Sequence, residues 1–237
     1  MWESTVEGQP LTFELVGVNN QNFIMKDRET GTWWQQVTGR AIHGPLAGRQ
    51  LRPIFSEIST FGLWGREHPE AMVLVAEEEH ASDYFSGVPQ TRGGEDIIMP
   101  FVTPRAENDP LEPGDMVIGL DIDGNSKAYP MRTLLDQRTV LDRVGGREIL
   151  LVVGVDDETV RCFDRVVGGR MLEFFRKADT AELMLIDKET GTEWNFAGEA
   201  LSGELAGQRL SRVPLITEYW FNWRRHHPET SVFTAGL

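Results

Sequence analysis

The sequence contains one cysteine, Cys162, among its 237 residues. A single cysteine excludes a disulfide within the chain and any metal site built from a cluster of cysteines. Positive charge is also scarce, since 23 Lys and Arg stand against 37 Asp and Glu and give a formal net charge of -14. Nucleic-acid binding depends on Lys and Arg placed against phosphates, so this balance argues against nucleic acid as a partner.

Long hydrophobic runs are lacking as well. No apolar stretch approaches the about 20 residues that a helix needs to span a bilayer, so we expect no membrane insertion. The first residues, M-W-E-S, do not have the pattern of a signal peptide. Taken literally, these features describe a soluble cytoplasmic protein, whereas a chain that begins inside a longer protein would have lost its signal. The compartment is therefore left open.

What the sequence does contain is an internal repeat. Residues 27–73 recur in degraded form at 187–232, where D-R-E-T-G-T-W-W matches D-K-E-T-G-T-E-W and W-G-R-E-H-P-E matches W-R-R-H-H-P-E. A period of about 160 residues is far longer than a solenoid repeat, so we predict two domain-sized units. We predict these units at 1–76 and 114–237, joined by a linker at 77–113 that is polar and rich in Glu, Gly and Pro.

Hydrophobic alternation and closely spaced turns predict the secondary structure. Apolar and polar residues alternate in L-T-F-E-L at 11–15, which is typical of a half-buried strand, and the D-x-E-T-G turns predict hairpins. Short helices are expected at 59–68 and 217–227, each ending before a proline and followed by a short strand, at 72–75 and 231–233. Tight turns favour antiparallel pairing, since parallel strands need long crossovers. The predicted fold is mainly β, a β-rich α+β fold of antiparallel, barrel-like sheets with short helices in two homologous units.

Several motifs of the second unit occur in a characteristic order. They are G-L-D-I-D-G-N-S-K-A-Y-P at 119–130, V-G-G at 144–146, F-D-R at 163–165, and the repeated D-K-E-T-G-T-E-W and W-R-R-H-H-P-E segments. In this order they resemble the domain of unknown function 3179 family, and the first unit resembles the C-terminal half of the same domain. The resemblance implies a bacterial or archaeal protein, often exported to the periplasm or another extracytoplasmic location, in a family without an established activity.

The second unit departs from that family's pattern at its most reactive residues. Typical members carry a C-x-x-C before the F-D-R segment and a His soon after the A-Y-P helix, which would suit a thiol redox pair or part of a metal site. Here Gly154 and Asp157 occupy the cysteine positions, and Gln137 occupies the histidine position. In the first unit the same region would precede Met1. We therefore predict no catalytic residue, no metal ligand and no cofactor for this chain.

The first unit keeps polar positions that the second has changed. The resemblance associates three residues of the first unit with the family: Asn20, Trp34 and Gln36. In the second unit, Thr180, Trp194 and Phe196 correspond in order to these residues. The second unit therefore keeps the tryptophan and has changed the other two positions. Because duplication lets one copy decay into a scaffold, we hypothesise that the first unit is the functional one.

Tryptophans add to the candidate site, since each offers a flat apolar face on which a sugar can stack. Trp34 recurs as Trp194, which favours core packing for this pair over ligand contact. Trp33 corresponds to Glu193 and is the better candidate for an exposed face. The predicted ligand-binding residues are Asn20, Trp33, Trp34 and Gln36.

Other polar features have alternative interpretations. Cys162 is a packed thiol or a nucleophile, and packing is favoured because free cysteines are usually buried. His68 and His227 precede a proline, which favours capping of a helix end over a shared catalytic base. D-I-D-G-N at 121–125 favours a hairpin turn over a calcium loop, and D-D-E at 156–158 favours a solvated turn over a cation site.

These patterns predict a non-catalytic binding or scaffold domain of an exported bacterial or archaeal protein. The alternative is a fragment of a thiol-redox or metal-dependent enzyme whose C-x-x-C segment lies upstream of Met1. A purely structural assembly unit is the third class. The expected partners are a small molecule or glycan and a second copy of the chain, without nucleic acid or membrane insertion.

Overall fold

The computed structural model describes residues 1–19, 22–75, 77–80, 107–178, 180 and 182–235. We call residues 1–75 the N-terminal part and residues 107–235 the C-terminal part. Strands account for 41% of the structure and helices for 11%, which confirms the predicted β-rich fold. Within the described ranges, no helix combines the length and apolar character that crossing a membrane would take.

The N-terminal part consists of a hairpin, a four-stranded sheet and one helix. Its elements are β1 (Thr5–Val6), β2 (Gln9–Pro10), β3 (Phe13–Asn19), β4 (Asn22–Asp27), β5 (Trp33–Gln35), β6 (Arg40–His43) and α1 (Phe61–Glu67). β1 pairs with β2, and the sheet has the order β3-β4-β5-β6 with antiparallel pairing throughout. A single 3-10 turn, Glu78–His80, follows this part.

The C-terminal part is larger and contains four sheets. Its first strands are β7 (Met116–Ile122), β8 (Asn125–Pro130), β9 (Thr139–Val144), β10 (Arg147–Val153) and β11 (Val160–Asp164). They are followed by β12 (Val166–Val167), β13 (Arg170–Met171), β14 (Phe174–Arg176), β15 (Met184–Asp187), β16 (Glu193–Asn195), β17 (Ala200–Ser202), β18 (Ile216–Tyr219) and β19 (Ser231–Val232). The helices are α2 (Met131–Gln137) and α3 (Trp220–His226). The sheet orders are β11-β10-β9, β12-β13, β14-β15-β16-β17 and β18-β7-β8-β19, and β19 pairs with β8 in parallel.

The barrel-like closure included in the prediction is wrong for the described strands. Each four-stranded sheet ends in two edge strands, and none of these sheets closes on itself. Closing a sheet around a filled interior takes about eight strands, so four short strands leave the sheets open.

The repeated D-x-E-T-G-T-x-W motif forms the same hydrogen-bond network in both parts. The Asp27 carboxylate accepts hydrogen bonds from the Thr30 amide (2.5 Å) and the Trp34 indole (2.8 Å). Asp187 accepts the corresponding bonds from the second threonine (2.7 Å) and the second tryptophan (2.9 Å). The turn requires Gly31, whose φ of 72° lies in the left-handed region. The motif therefore recurs for a structural reason, while descent from a duplicated unit stays a prediction.

The structural correspondence reaches further towards the N-terminus than the sequence repeat. The β1-β2 hairpin occupies the same place before its four-stranded sheet as the β12-β13 hairpin does. The Trp2 ring packs so closely on Gly39 that an added Cβ would lie 2.7 Å from it, and the Phe163 ring lies 2.5 Å from a Cβ added to Gly198. Trp2 and Phe163 are different residue types, so residue identity does not extend the repeat to this position.

The predicted helix ends are confirmed, but two flanking segments differ from the prediction. α1 and α3 end shortly before Pro69 and Pro228. Residues 217–219, expected to be helical, belong to β18 because they pair with β7. The strand predicted at 72–75 does not form, since the matching strand β19 pairs with β8 and the described N-terminal part holds no counterpart of β8.

The hydrophobic cores show how the two parts depend on each other. The N-terminal part has a small cluster of its own, Leu11, Trp34, Ala41 and Leu51. The buried face of α1 does not belong to it, because Leu63 packs into the C-terminal cluster around Trp194. Full burial of a leucine side chain contributes about 1.5–3 kcal/mol. The first helix is therefore stabilised by the C-terminal part.

Candidate functional site

The predicted binding residues of the N-terminal part do not form one surface. Asn20 lies outside the described residues. Trp34 is fully buried and donates its indole N–H to Asp27, so its side chain has no surface for a ligand. Trp33 is the preceding residue on β5 and faces the opposite side of the sheet, where its ring contacts that of His43. Gln36 is exposed, and its carbonyl oxygen accepts a hydrogen bond from the Trp2 indole at 2.5 Å.

A cavity of about 1170 Å³ lies instead where α1 and the segment before it meet the C-terminal part. We call it the arginine cavity, and its principal lining residues are Phe55, Glu57, Trp64, Arg161, Phe196 and Arg212. Phe196 corresponds to Gln36, so the cavity borders the second-unit counterpart of the predicted site. Its volume slightly exceeds the usual range of ligand pockets, about 300–1,000 Å³, and such pockets favour interfaces between structural units.

Arg161 forms the floor of the arginine cavity. Its side chain is only 3% exposed, and it projects from the apolar strand β11. The guanidinium donates to the Glu57 carboxylate (2.6 Å) and to the Glu67 carboxylate (2.6 and 2.7 Å), and also to the Phe196 carbonyl oxygen (3.2 Å). The hydrogen bond from Arg161 lowers the pKa of Glu67 despite the opposing effect of burial. Arg161 therefore ties the N-terminal part to the C-terminal part.

Arg212 lies beside this cluster in a more accessible position. Its side chain is 26% exposed, and its guanidinium lies 4.9 Å from the ring centroid of Phe163 and 5.9 Å from that of Phe55. One nitrogen, Nη1, donates to the second oxygen of Glu57 at 2.5 Å. The aromatic faces hold the guanidinium plane in place by cation-π contact. The cavity thus combines a fixed cation with flat apolar surface.

A second contact between the two parts involves the start of α1. The Thr60 hydroxyl accepts from the amide of Leu63 as the helix N-cap and donates to Asp156 at 2.8 Å. Asp156 also accepts two hydrogen bonds from Thr159, at 2.6 and 3.0 Å. Burial alone would raise the pKa of Asp156, but these hydrogen bonds outweigh it and hold the pKa below its ordinary value. The D-D-E segment forms the expected turn, and it also positions the helix above the cavity.

A third contact between the two parts joins two asparagines. Asn22 on β4 and Asn222 on α3 exchange reciprocal hydrogen bonds of 2.6 and 3.0 Å, and both side chains are buried. Asn22 corresponds to Glu182, which lines the arginine cavity. Glu182 therefore borders a cavity in the C-terminal part, whereas its counterpart in the N-terminal part, Asn22, pairs with Asn222.

The family named by the resemblance also matches the chain as a whole. The sequence model described as "Protein of unknown function (DUF3179)" matches residues 1–230. The chain belongs to the DUF3179 family. The match runs through both parts and the stretch between them. Neither a curated protein nor a solved structure matches the chain significantly.

In this DUF3179 chain, the loop assigned to the family's cysteines is built for a different contact. A Cβ added to Gly154 would lie 2.7 Å from the Asp156 carboxylate and 3.2 Å from the Phe196 ring. Asp157 adopts a left-handed conformation with φ of 60°. A cysteine at the first position would therefore displace the carboxylate that holds Thr60. The remaining cysteine, Cys162, is buried, and burial raises the pKa of its thiol, which favours the packed interpretation.

The other polar features of the DUF3179 chain have structural roles. Asp121 accepts a hydrogen bond from the Gly124 amide at 3.1 Å, as a turn requires. His227 stacks on Trp223 with ring centroids 3.8 Å apart, and its backbone amide, not its ring, caps α3. Within the described ranges, no three side chains among His, Cys, Asp and Glu are grouped to hold a metal ion.

The charged residues Glu57, Arg161 and Arg212 of the arginine cavity were not singled out from the sequence. Glu57 and Arg161 are separated by 104 positions, and neither belongs to the repeat motifs. One signal was present, since Arg161 interrupts the apolar residues V-R-C-F, which form the buried strand β11. A charge in such a strand requires a buried partner.

Proposed function

We propose that this DUF3179 chain is a non-catalytic domain that binds a small molecule, most suitably a glycan, in the arginine cavity. The observation that carries the proposal is the composition of the cavity wall. Phe55 is 46% exposed and Trp64 lies nearby, which provides flat apolar faces. Asn195 and Glu199 line the same cavity and form a polar wall, in which the Asn195 amide donates to the Glu199 carboxylate at 2.8 Å. Flat apolar surface beside polar groups suits a sugar ring, which has apolar faces and a rim of hydroxyls.

The pairing of Glu67 supports binding rather than acid-base catalysis by this carboxyl. A general acid or base is most effective when its pKa lies near the working pH. The pKa of Glu67 is instead lowered by the hydrogen bond from Arg161, so this carboxyl is ionised and paired at neutral pH. Cys162 is buried with a raised pKa, and its thiol is accordingly a poor nucleophile. An extracytoplasmic location is part of the proposal on the strength of the resemblance, and a signal peptide encoded upstream in the gene would support it.

Isothermal titration of the whole chain with a panel of neutral and acidic mono- and oligosaccharides tests the proposal. Phe55→Ala is expected to weaken binding about tenfold, because an aromatic contact contributes about 0.5–1.5 kcal/mol beyond its buried area. Phe175→Ala is the matched control, since Phe175 is 48% exposed and does not line the cavity. Saturable binding that is unchanged in Phe55→Ala would place the ligand elsewhere. Absence of binding across the panel would favour the scaffold role.

A further inference from the structure

Arg212 combines unused hydrogen-bond donors with a partly buried guanidinium that aromatic rings hold in place. Nη1 donates to Glu57, while Nε and Nη2 meet no acceptor in the described part of the chain. These two nitrogens share one edge of the guanidinium. That edge can donate two parallel hydrogen bonds to one planar acceptor, and a carboxylate has the matching geometry.

The neighbouring arginines do not combine a free edge with a guanidinium that is held in place. All three guanidinium nitrogens of Arg161 are engaged, with two carboxylates and one carbonyl oxygen. Arg209 is paired with Glu199, and its side chain is mostly exposed. Arg66 is exposed at the rim, without the aromatic contacts that fix Arg212. Arg212 is therefore the cation that combines a fixed plane with free donors.

The charge balance of the cavity makes an anionic ligand acceptable in an acidic protein. Four arginines and four glutamates line the cavity, so its formal charge is zero with His68 neutral, whereas the whole chain carries -14. Glu57 and Glu67 together balance Arg161 and Arg212, so this group of four has no net charge, and the free edge of Arg212 supplies its unused hydrogen-bond donors. An anion bound at this edge of Arg212 lies beside side chains whose charges cancel, and it is therefore not repelled as it would be by the net negative charge of the rest of the chain.

We propose that the ligand carries a carboxylate, as a uronic acid does, and that Nε and Nη2 of Arg212 bind this carboxylate. The assignment rests on the proposed function, since it names the class of ligand for the same cavity. The sugar ring then faces Phe55 and Trp64, and the carboxylate faces Arg212. Arg212 thus acts as a specificity-determining residue, which selects an acidic sugar over its neutral counterpart.

Titration of the whole chain with matched pairs tests this assignment. The pairs are oligogalacturonate with its methyl ester, and glucuronate with glucose, and glutarate is the carboxylate without a sugar. The acidic sugar is expected to bind about tenfold or more tightly than its neutral partner and than glutarate, as a charge-assisted bidentate pair allows. Arg212→Gln should abolish this preference, so that the acidic sugar and its neutral partner bind equally, and Arg212→Lys should retain only part of it. Arg170→Gln is the control, because Arg170 forms an exposed pair with Glu204 outside the cavity.

The outcomes separate the two proposals. Equal binding of acidic and neutral sugars would overturn the role of Arg212 and leave the binding function standing. Glutarate binding as tightly as glucuronate would overturn the sugar class. Absence of binding by every ligand would overturn both proposals. If Arg212→Gln does not fold, Arg212→Lys carries the test, since a lysine can still pair with Glu57; an undiminished preference in Arg212→Lys would overturn the bidentate contact.

Discussion

Replacing Arg161 with methionine should destabilise the fold strongly, because it leaves a carboxylate without a partner. Glu57 keeps its hydrogen bond from Arg212, but Glu67 loses both hydrogen bonds from Arg161. Removing one partner of a buried ion pair costs about 3–5 kcal/mol. We expect about 3 kcal/mol, the lower end, since the Glu67 side chain is 28% exposed and can be partly rehydrated.

Urea unfolding followed by tryptophan fluorescence measures this loss. A change of about 3 kcal/mol lowers the urea midpoint by about 1 M when the slope is near 3 kcal/mol per M. The melting temperature should fall by about 6–12 °C for a chain of this size. The double variant Arg161→Met with Glu67→Met should recover most of the loss, because apolar replacement of a whole buried pair is often neutral.

The control for this experiment is Arg170→Met, which removes an exposed pair and should change stability by less than about 0.5 kcal/mol. An Arg161→Met variant as stable as this control would refute the role of Arg161 as the tie between the two parts. A double variant no more stable than Arg161→Met would show that the unpaired carboxylate is not the cause.

Three further predictions concern the repeated network, acid and the thiol. Asp27→Asn and Asp187→Asn should each lower the free energy of unfolding by about 1.5–3 kcal/mol, because an amide replaces the carboxylate that accepts the indole hydrogen bond of Trp34 or Trp194. Urea titrations measure both losses, and unequal losses would argue against equivalent networks. The pKa values of Asp27 and Asp156 in the folded protein lie below the ordinary 3.8, so the stabilisation from these carboxylates is present above pH 3.8 and is lost as the pH falls through the folded pKa. Urea midpoints that stay constant from pH 5 to about pH 2 would contradict this prediction. Cys162 should resist a thiol reagent in the native protein and react in urea, and prompt native labelling would exclude the packed interpretation.

Local patterns predicted much of the fold. The D-x-E-T-G-T-x-W motif specifies its turn through contacts within eight residues, so its two hairpins could be placed from the sequence. The apolar run I-L-L-V-V at 149–153 is typical of a buried strand, and it lies within β10. The prolines marked the helix ends because they cannot continue the backbone hydrogen bonds.

Long-range pairing set the limits of that prediction. Residues 217–219 were predicted as the start of a helix, but a strand edge of β7, about a hundred positions earlier, pairs with them instead. The candidate site was missed for the same reason, since Glu57, Arg161 and Arg212 meet only in the folded chain. The resemblance suggested a site at Asn20, Trp34 and Gln36 in the N-terminal part. The cavity lies instead at the corresponding region of the C-terminal part, beside Phe196, which corresponds to Gln36.

The packing of α1 makes the two parts complementing fragments. Leu63 completes a core that belongs to the other end of the chain, and the Asn22 and Asn222 amides satisfy each other across the contact. The C-terminal part expressed alone would expose the apolar surface that Leu63 covers in the whole chain. Either part alone would also expose its asparagine, which is buried in the whole chain. A chain cut between residues 80 and 107 is therefore suited to a split reporter, in which fluorescence or ligand binding returns only when both pieces are mixed.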